Sequence, residues 1–313
     1  MSHQSVGITR REWLRGAGLA ALGAGLLQVA PGIAHAQISA TDASNNVYYR
    51  FKLGDADLIV VSDTAFQLDA TIFGSNQPAE DVIAFFDNLH VLTPNNSVNT
   101  AVLNLIMLSG DTVAVFDTGT GARLARTIND LGIGTENVTD VLISHYHGDH
   151  VGGLLSGGAL TYPNALVHFP QPEYDYMQTA ASNVVGSAQA AIQPALDNDQ
   201  IAFYAADAEI IPGVQAVYTP GHTPGHMSFH ISSGDAQLLH VVDAALNAYA
   251  TLPNPTWHAR FDTDPALAVE SRQALLDRAA TEKLQTMGYH FPFPGLGYVA
   301  RQGEGYQWVP VAF

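Results

Sequence analysis

Residues 144–150 constrain the fold most, because they place four potential metal ligands within six positions. They are Ser-His-Tyr-His-Gly-Asp-His. The apolar segment from Val141 to Ser144 comes just before them and predicts a short buried strand. On a loop at a strand end, the first two histidines can point one way, while the aspartate and the last histidine aim at a neighbouring point. The fold must therefore leave this strand end open to residues from elsewhere in the chain.

Three further candidate ligands follow later in the sequence, at predicted strand ends or tight loops. They are His222 in the segment 221–226 (Gly-His-Thr-Pro-Gly-His), Asp243 after a predicted strand, and His290. Together with the first run they supply five imidazoles and two carboxylates, and the chain has no cysteine. This donor set suits zinc or a similar divalent metal. Two metals that share one hydroxide need about three ligands each and one bridging carboxylate, so the sequence predicts a dinuclear site.

The remaining histidines are interpreted as structural or surface residues, namely His90, His168, His230, His240 and His258. His226 is ambiguous, because it can either support the ligands or pack beside its loop. Asp117 is expected to orient the histidine loop without binding metal itself.

An internal repeat in the strand pattern indicates the fold. A strand, Ser109-Gly110-Asp111, a second strand and Asp117 are echoed by a strand, Ser233-Gly234-Asp235, a second strand and Asp243. Helices are predicted at 78–89 and 123–131, within 171–200, and at 266–287, where Gly288 would end the last one. Two β-rich halves with helices outside predict an α+β fold, an αββα sandwich of two facing mixed sheets. No flexible linker divides residues 37–313, which are predicted to form one domain.

The first 36 residues have the pattern of an export signal. Thr9-Arg10-Arg11-Glu12-Trp13-Leu14 precedes an apolar run from Gly16 to Ala30, and Ala34-His35-Ala36 forms a small-residue cleavage site before Gln37. This order is typical of a secretory signal, and the paired arginines resemble the twin-arginine type. The prediction is a periplasmic or secreted bacterial protein that is passed through the twin-arginine machinery.

Charge excludes one class of partner. The chain has 12 Lys and Arg against 29 Asp and Glu, a formal net charge of −17 at pH 7. A strongly acidic surface repels phosphate backbones, so a nucleic-acid substrate is not expected.

The run from His145 to His150 resembles the His-x-His-x-Asp-His signature of the metallo-β-lactamase superfamily, and the later candidates follow in that family's order. The resemblance implies that His145, His147 and His222 hold one metal. It implies that Asp149, His150 and His290 hold the other, while Asp243 bridges both together with a hydroxide. It also implies catalytic roles for Asp243 and, in handling the proton, for Asp149.

Segments 49–54, 293–297 and 305–311 resemble the methyl parathion hydrolase and lactonase-like members of this superfamily. That resemblance implies a secreted dizinc hydrolase, often a homodimer, which acts on lactones, aryl esters or phosphotriesters. A lactonase or esterase is favoured, because the aromatic residues near Glu173 to Gln178 differ from those of the phosphotriesterases. Apolar pocket walls would favour acyl or aryl substrates; the candidates are Phe66, Leu68, Phe73 and Met177, although each taken singly is better interpreted as core.

Other functions remain open at this stage. Within the hydrolases, the alternatives are an organophosphate hydrolase, then a β-lactamase or a thioesterase. An iron-dependent oxidoreductase of the same fold is a remote alternative, since flavodiiron relatives carry Glu at the position of His147. A non-catalytic binding protein is disfavoured by the complete ligand set.

Overall fold

The structure, a computed structural model, describes residues 47–311. Its strands in chain order are β1 (Tyr48–Leu53), β2 (Ala56–Asp69), β3 (Ser97–Ser109), β4 (Thr112–Phe116), β5 (Asp140–Leu142), β6 (Leu155–Ser156), β7 (Ala159–Leu160), β8 (Leu166–Pro170), β9 (Ile201–Tyr204), β10 (Glu209–Ile211), β11 (Val214–Tyr218), β12 (Met227–Ser233), β13 (Ala236–Val242), β14 (Gln285–Gly288), β15 (Leu296–Gln302) and β16 (Gly305–Pro310).

Helices connect these strands, together with short 3₁₀ turns at Ala70–Gly74 and Thr135–Asn137. The helices are α1 (Ala79–Asn88), α2 (Leu124–Asp130), α3 (Gly148–Val151), α4 (Gln171–Thr179), α5 (Asn183–Asp197) and α6 (Pro265–Glu282). Two of them begin at side-chain caps, since Ser182 accepts from the N–H of Val185 and Asp264 accepts from that of Leu267.

Two seven-stranded sheets contain most of the strands. The first has the order β1-β2-β3-β4-β5-β8-β9 and the second runs from β10 to β16 in sequence order. The first sheet is antiparallel from β1 to β4 and parallel from β4 to β9. The second is antiparallel except for the parallel pair β13 and β14, so both sheets are mixed.

The buried apolar clusters show how the layers are stacked. One cluster combines residues of both sheets, with Phe116 of β4 packing edge-on against Phe229 of β12 at 5.2 Å between ring centroids. The opposite face of the first sheet packs on α2, α3, α4 and α5. The opposite face of the second sheet packs on α6 through Leu275 and Leu276. The predicted αββα sandwich is therefore confirmed.

The internal repeat corresponds to two similar hairpins. β3 and β4 turn at Gly110, and β12 and β13 turn at Gly234, with φ angles of 58° and 59° that favour glycine. In each half the second hairpin strand is followed by a parallel neighbour, β5 or β14. The repeat therefore extends one strand further than the sequence pattern indicated.

The prediction of one helix over residues 266–287 is wrong at its carboxyl end. The helix α6 ends at Glu282, and Lys283 adopts a left-handed conformation. Residues 285–288 form β14, which pairs with β13. The helical pattern in the sequence extends past the observed end of α6. β14 is stabilised by pairing with β13, which is distant in sequence, so its own residues do not indicate a strand. Gly288 therefore lies in a strand and does not end the helix.

The predicted signal peptide, residues 1–36, lies outside the described residues, and the predicted domain boundary at Gln37 stays a prediction. Among residues 47–311, no helix has both the length and the apolar character that crossing a membrane requires.

Asp63 of β2 holds the segment that follows β4. Its fully buried carboxylate accepts hydrogen bonds from the backbone N–H groups of Thr120 at 2.9 Å, Arg123 at 2.6 Å and Leu124 at 2.9 Å. Burial alone would raise the pKa of Asp63, but these bonds outweigh it and lower the pKa below its usual value. The charged form therefore stabilises the loop between Asp117 and α2.

We predict that Asp63→Asn lowers the free energy of unfolding at pH 7 by about 3 kcal/mol, because one acceptor oxygen becomes a donor facing buried N–H groups. A lowered folded-state pKa stabilises above the unfolded value and is lost as pH falls through the folded value. The difference from wild type should therefore shrink below about pH 4, as measured by urea unfolding across pH. Asp57→Asn, at a partly exposed ion pair, is the control and should cost less than about 1 kcal/mol. A difference that does not change with pH would contradict a role for the Asp63 charge.

Candidate metal centre

The seven predicted ligands come from strand ends in both sheets. Four of them, His145, His147, Asp149 and His150, follow β5, the last two within α3. The others follow strands of the second sheet, with His222 after β11, Asp243 after β13 and His290 after β14.

The structure brings these seven side chains together in two groups. The ligand atoms within each group all lie within 4.8 Å of one another. The first group is His145, His147, His222 and Asp243, and the second group is Asp149, His150 and His290. This division matches the one that the resemblance implied, with Asp243 placed in the first group.

Asp243 lies between the two groups. Its Oδ2 atom is 3.2 Å from Nε2 of His222 and 3.8 Å from Nε2 of His145 in the first group. The same oxygen is 3.4 Å from Nε2 of His150 and 3.3 Å from Nε2 of His290 in the second group. One carboxylate thus faces four imidazole nitrogens, which is the position that a bridging ligand requires.

The first group also places imidazole nitrogens against one another. Nδ1 of His147 lies 3.0 Å from Nε2 of His145 and 2.9 Å from Nε2 of His222. Burial and the neighbouring imidazoles hold the pKa values of His145 and His147 well below the usual range, so both rings are neutral. A neutral imidazole presents a free lone pair, which is the form that binds a metal.

The second group contains a buried nitrogen that the protein itself leaves unsatisfied. Nε2 of His150 and Oδ1 of Asp243 are buried and make no hydrogen bond within residues 47–311. Buried polar atoms without a partner are rare and indicate a missing ligand, ion or water. The donor set and these two atoms therefore fit divalent metal ions.

In four of the histidines, Nδ1, the ring nitrogen that points away from the centre, contacts a neighbouring group. Asp262 lies 3.0 Å from Nδ1 of His222, and Asp117 lies 2.8 Å from Nδ1 of His150. The carbonyl of Ala101 accepts from Nδ1 of His290 at 2.7 Å, and Oγ of Ser144 lies 3.0 Å from Nδ1 of His145. Such contacts fix the tautomer, so that the other nitrogen faces the metal.

Asp117 supports the histidine loop, as expected from the sequence. Its Oδ1 accepts the N–H of Ser144 at 2.7 Å, and its Oδ2 accepts the hydroxyl of Ser144 at 2.7 Å in addition to its contact with His150. It is absent from both ligand groups.

His226 supports Asp243 through the backbone. Its Nε2 accepts the N–H of Asp243 at 3.2 Å, and its Nδ1 lies 2.8 Å from the hydroxyl of Thr219. Burial lowers the pKa of His226 to about 3, so the ring is neutral and can accept this bond. His226, which the sequence left ambiguous, therefore has a supporting role.

Glu173, at the start of α4, connects the two histidine loops. Its fully buried carboxylate accepts the N–H of Tyr146 at 3.0 Å and that of Gly225 at 2.7 Å. Burial raises the pKa of Glu173 to about 7, although these two bonds and the hydroxyl of Thr223 act in the opposite direction. Gly225 is required here, because a Cβ would lie 2.2 Å from the backbone nitrogen of Glu173.

Sequence reasoning missed Asp262, Arg272 and Tyr289, and it placed Glu173 only in a general pocket segment. Tyr289 stacks on His150 at 4.1 Å between ring centroids and donates to the carbonyl of Asp149 at 2.6 Å. Its position directly before His290 was the one available signal. Asp262 carried none, since a loop aspartate is ordinarily exposed.

The four candidate pocket walls were each better interpreted as core, and three of them belong to the core or pack on it. Phe73 and Met177 belong to the apolar core, and Leu68 packs on it, whereas Phe66 is 36% exposed. Of the histidines interpreted as structural, none is in either ligand group of the described chain.

Comparisons with known proteins were made for sequence and for structure. The sequence profile of the metallo-beta-lactamase superfamily matches residues 94–282. An N-acyl homoserine lactonase of Bacillus thuringiensis is 31% identical over 162 residues, which are 51% of this chain and 59% of that protein. One of Bacillus cereus is 30% identical over 146 residues, covering 47% of this chain and 54% of that protein. The chain thus spans little more than half the length of these relatives.

Two solved structures share the fold over almost their whole length. AidC, described as a dizinc quorum-quenching lactonase in complex with a product, has a TM-score of 0.80 at 23% identity and covers 85% of this chain and 98% of AidC. The hydrolase AbOPH has a TM-score of 0.81 at 22% identity and covers 86% of this chain and 99% of AbOPH. Because the superfamily profile spans more than half of the sequence and the fold agrees, this chain belongs to the metallo-β-lactamase superfamily.

Proposed function

We propose that this protein is a metal-dependent hydrolase that opens lactone rings at a centre of two divalent metal ions, with zinc as the metal. The observation that carries the proposal is the position of Asp243, whose Oδ2 lies within 3.8 Å of imidazole nitrogens from both ligand groups. The lactonase names of the Bacillus relatives and of AidC support the choice of substrate.

In this proposal His145, His147 and His222 hold one ion, Asp149, His150 and His290 hold the other, and Asp243 binds both. When bound, the two ions supply a nucleophilic hydroxide at neutral pH and polarise the carbonyl oxygen of the substrate. The protein therefore needs no serine or cysteine nucleophile; the chain has no cysteine.

Asp149 is the ligand best placed to handle the proton. Its side chain is 24% exposed, whereas those of Asp243 and His290 are 3% and 5% exposed. Its Oδ2 lies 3.5 Å from Nε2 of His290, which keeps it at the edge of the centre. A carboxylate at this edge can accept a proton from the attacking group and deliver it to the leaving alkoxide.

Exposed aromatic rings support an acyl or aryl substrate. Phe66, Phe261 and Phe293 are 36%, 44% and 39% exposed. Each is near a ligand or a ligand's support along the chain or by strand pairing. Phe66 pairs with Thr100, the residue before Ala101, and the carbonyl of Ala101 holds His290. Phe261 precedes Asp262, and Phe293 follows His290 by three positions. If these rings border the substrate, they would favour an acyl chain or ring over a charged group.

Phosphotriester hydrolysis is the second candidate. It is favoured by the resemblance of segments 49–54, 293–297 and 305–311 to the methyl parathion hydrolase group. The same centre would serve it, since two metals can clamp both oxygens of a displacement at phosphorus.

We also propose export to the periplasm through the twin-arginine machinery, on the pattern of residues 1–36. Replacing both Arg10 and Arg11 by Lys should leave the protein in the cytoplasm. The wild-type protein recovered from the periplasm should have the intact mass of a chain that begins at Gln37. Equal export of the two forms would contradict this proposal. A homodimer, which the resemblance implies, stays a prediction for light scattering to test.

For the metal centre, we predict that His145→Ala loses bound metal and at least about a thousandfold in kcat/KM, equivalent to about 4 kcal/mol of transition-state stabilisation. Metal content by mass spectrometry and lactone turnover are the measurements. His230→Ala is the matched control, because His230 contacts Gln237 on the second sheet away from both ligand groups. An active variant with a full metal content would overturn the ligand assignment.

For the substrate, we predict that the mature protein, residues 37–313, hydrolyses lactones faster than other substrates. The panel consists of an aryl lactone, an acyl-homoserine lactone, an aryl ester, methyl paraoxon and a cephalosporin, each with metal-stripped enzyme as the control. Preference for methyl paraoxon would establish the second candidate instead. No metal-dependent turnover of any of the five would reject the proposed substrate class.

A further inference from the structure

A fully buried arginine lies in the middle of α6. The side chain of Arg272 has no exposed surface. Its guanidinium group donates hydrogen bonds to three backbone carbonyls and to one carboxylate. Nε donates to the carbonyl of Ala244 at 2.9 Å, and Nη1 donates to those of Pro255 at 3.0 Å and Trp257 at 2.8 Å. Nη2 lies 3.4 Å from Oδ2 of Asp262.

Asp262 connects Arg272 to His222, one of the ligands in the first group. Its Oδ1 lies 3.0 Å from Nδ1 of His222, while its Oδ2 also accepts the N–H of Ala259 at 3.2 Å. A carboxylate accepts a hydrogen bond from Nδ1 of His222, which fixes the ring so that Nε2 is the nitrogen that faces Asp243 and the proposed metal.

The bond from Arg272 to Ala244 acts on a second ligand. Ala244 directly follows Asp243, and the N–H of Asp243 is itself held by His226 at 3.2 Å. The backbone on both sides of the Asp243 side chain is therefore fixed. One guanidinium contacts the supports of two ligands that lie on different loops.

We propose that Arg272 and Asp262 are positioning residues for the first ligand group, and that Asp262, which contacts only His222 among the ligands, sets the metal affinity of this group separately from that of the second. The inference rests on the proposed metal centre. Burying an ion pair costs desolvation free energy, and an apolar pair would attach a helix at lower cost. An apolar pair could not make the hydrogen bonds to His222 and to the backbone beside Asp243. These two contacts therefore explain why an ion pair is buried here.

The second group has supports of its own. Asp117 holds His150, and the carbonyl of Ala101 holds His290. Neither contact involves Arg272 or Asp262. Asp117 and Asp262 each place a carboxylate oxygen against one Nδ1, and Asp117 also holds Ser144, which contacts His145 of the first group. Asp117 therefore acts directly on the second group and only through Ser144 on the first, which makes it the comparison variant for Asp262.

The experiment measures zinc affinity by competition with a chromophoric chelator, on the full mature protein without substrate. Wild type should give two dissociation constants, and the ligand variants His147→Ala and His290→Ala assign one constant to each group. Asp262→Asn should raise the constant of the first group about 10- to 100-fold and leave the other within about threefold. Asp117→Asn should weaken the second group more than the first, which it reaches only through Ser144.

Arg272→Lys is a second variant, which keeps the charge but loses the planar fork of donors. It should weaken the first group as Asp262→Asn does and, through the backbone at Asp243, the second group to a smaller extent. Circular dichroism and the unfolding midpoint confirm that each variant is folded. Equal weakening of both groups, or no change in either, would overturn the inference while the metal centre stands. A wild-type protein that binds no zinc would overturn both the centre and the inference.

Discussion

Everything else at the centre depends on one buried carboxylate that is surrounded by imidazole nitrogens. Asp243 is only 3% exposed, and its oxygen faces four histidines from both sheets. Burial alone would raise the pKa of Asp243, but His290 and His150 hold it well below the usual value. A buried charge needs partners, so the fold has to deliver these residues from distant parts of the chain to one point.

The two sheets position the residues of the centre in the same way. In each half a hairpin ends in an aspartate, Asp117 or Asp243, and a parallel strand beside it leads into histidines. The two aspartates nevertheless have different tasks. Asp117 holds Ser144 and His150 from outside, whereas Asp243 faces the centre itself. Equivalent positions in the repeated topology thus differ, because one aspartate supports the histidine loop and the other faces both ligand groups.

Much of this was predictable from the sequence, for identifiable reasons. The hairpin turns and the ligand run are local patterns, so both hairpins and the seven candidate ligands could be identified from the sequence alone. Strands β8, β9 and β14 were not predicted, because pairing with strands distant in sequence stabilises them more than their own composition does. Strands β15 and β16 pair locally as a hairpin and were also missed. The supports Asp262 and Arg272 were equally hidden, since a loop aspartate and a helix arginine are ordinarily solvent-exposed and only tertiary packing buries them.

The division of the ligands between the sheets determines when in folding a metal can be captured. Neither ligand group is complete within residues 47–204 or within 209–311, because each draws on strands of both sheets. A chain with only one sheet formed therefore offers at most two ligands of either group and no complete group. High-affinity binding has to come last, and by mass action it then favours the finished fold over every partly folded form. Bound metal would thus mark a chain that has completed folding, which is the kind of cargo that a twin-arginine route accepts.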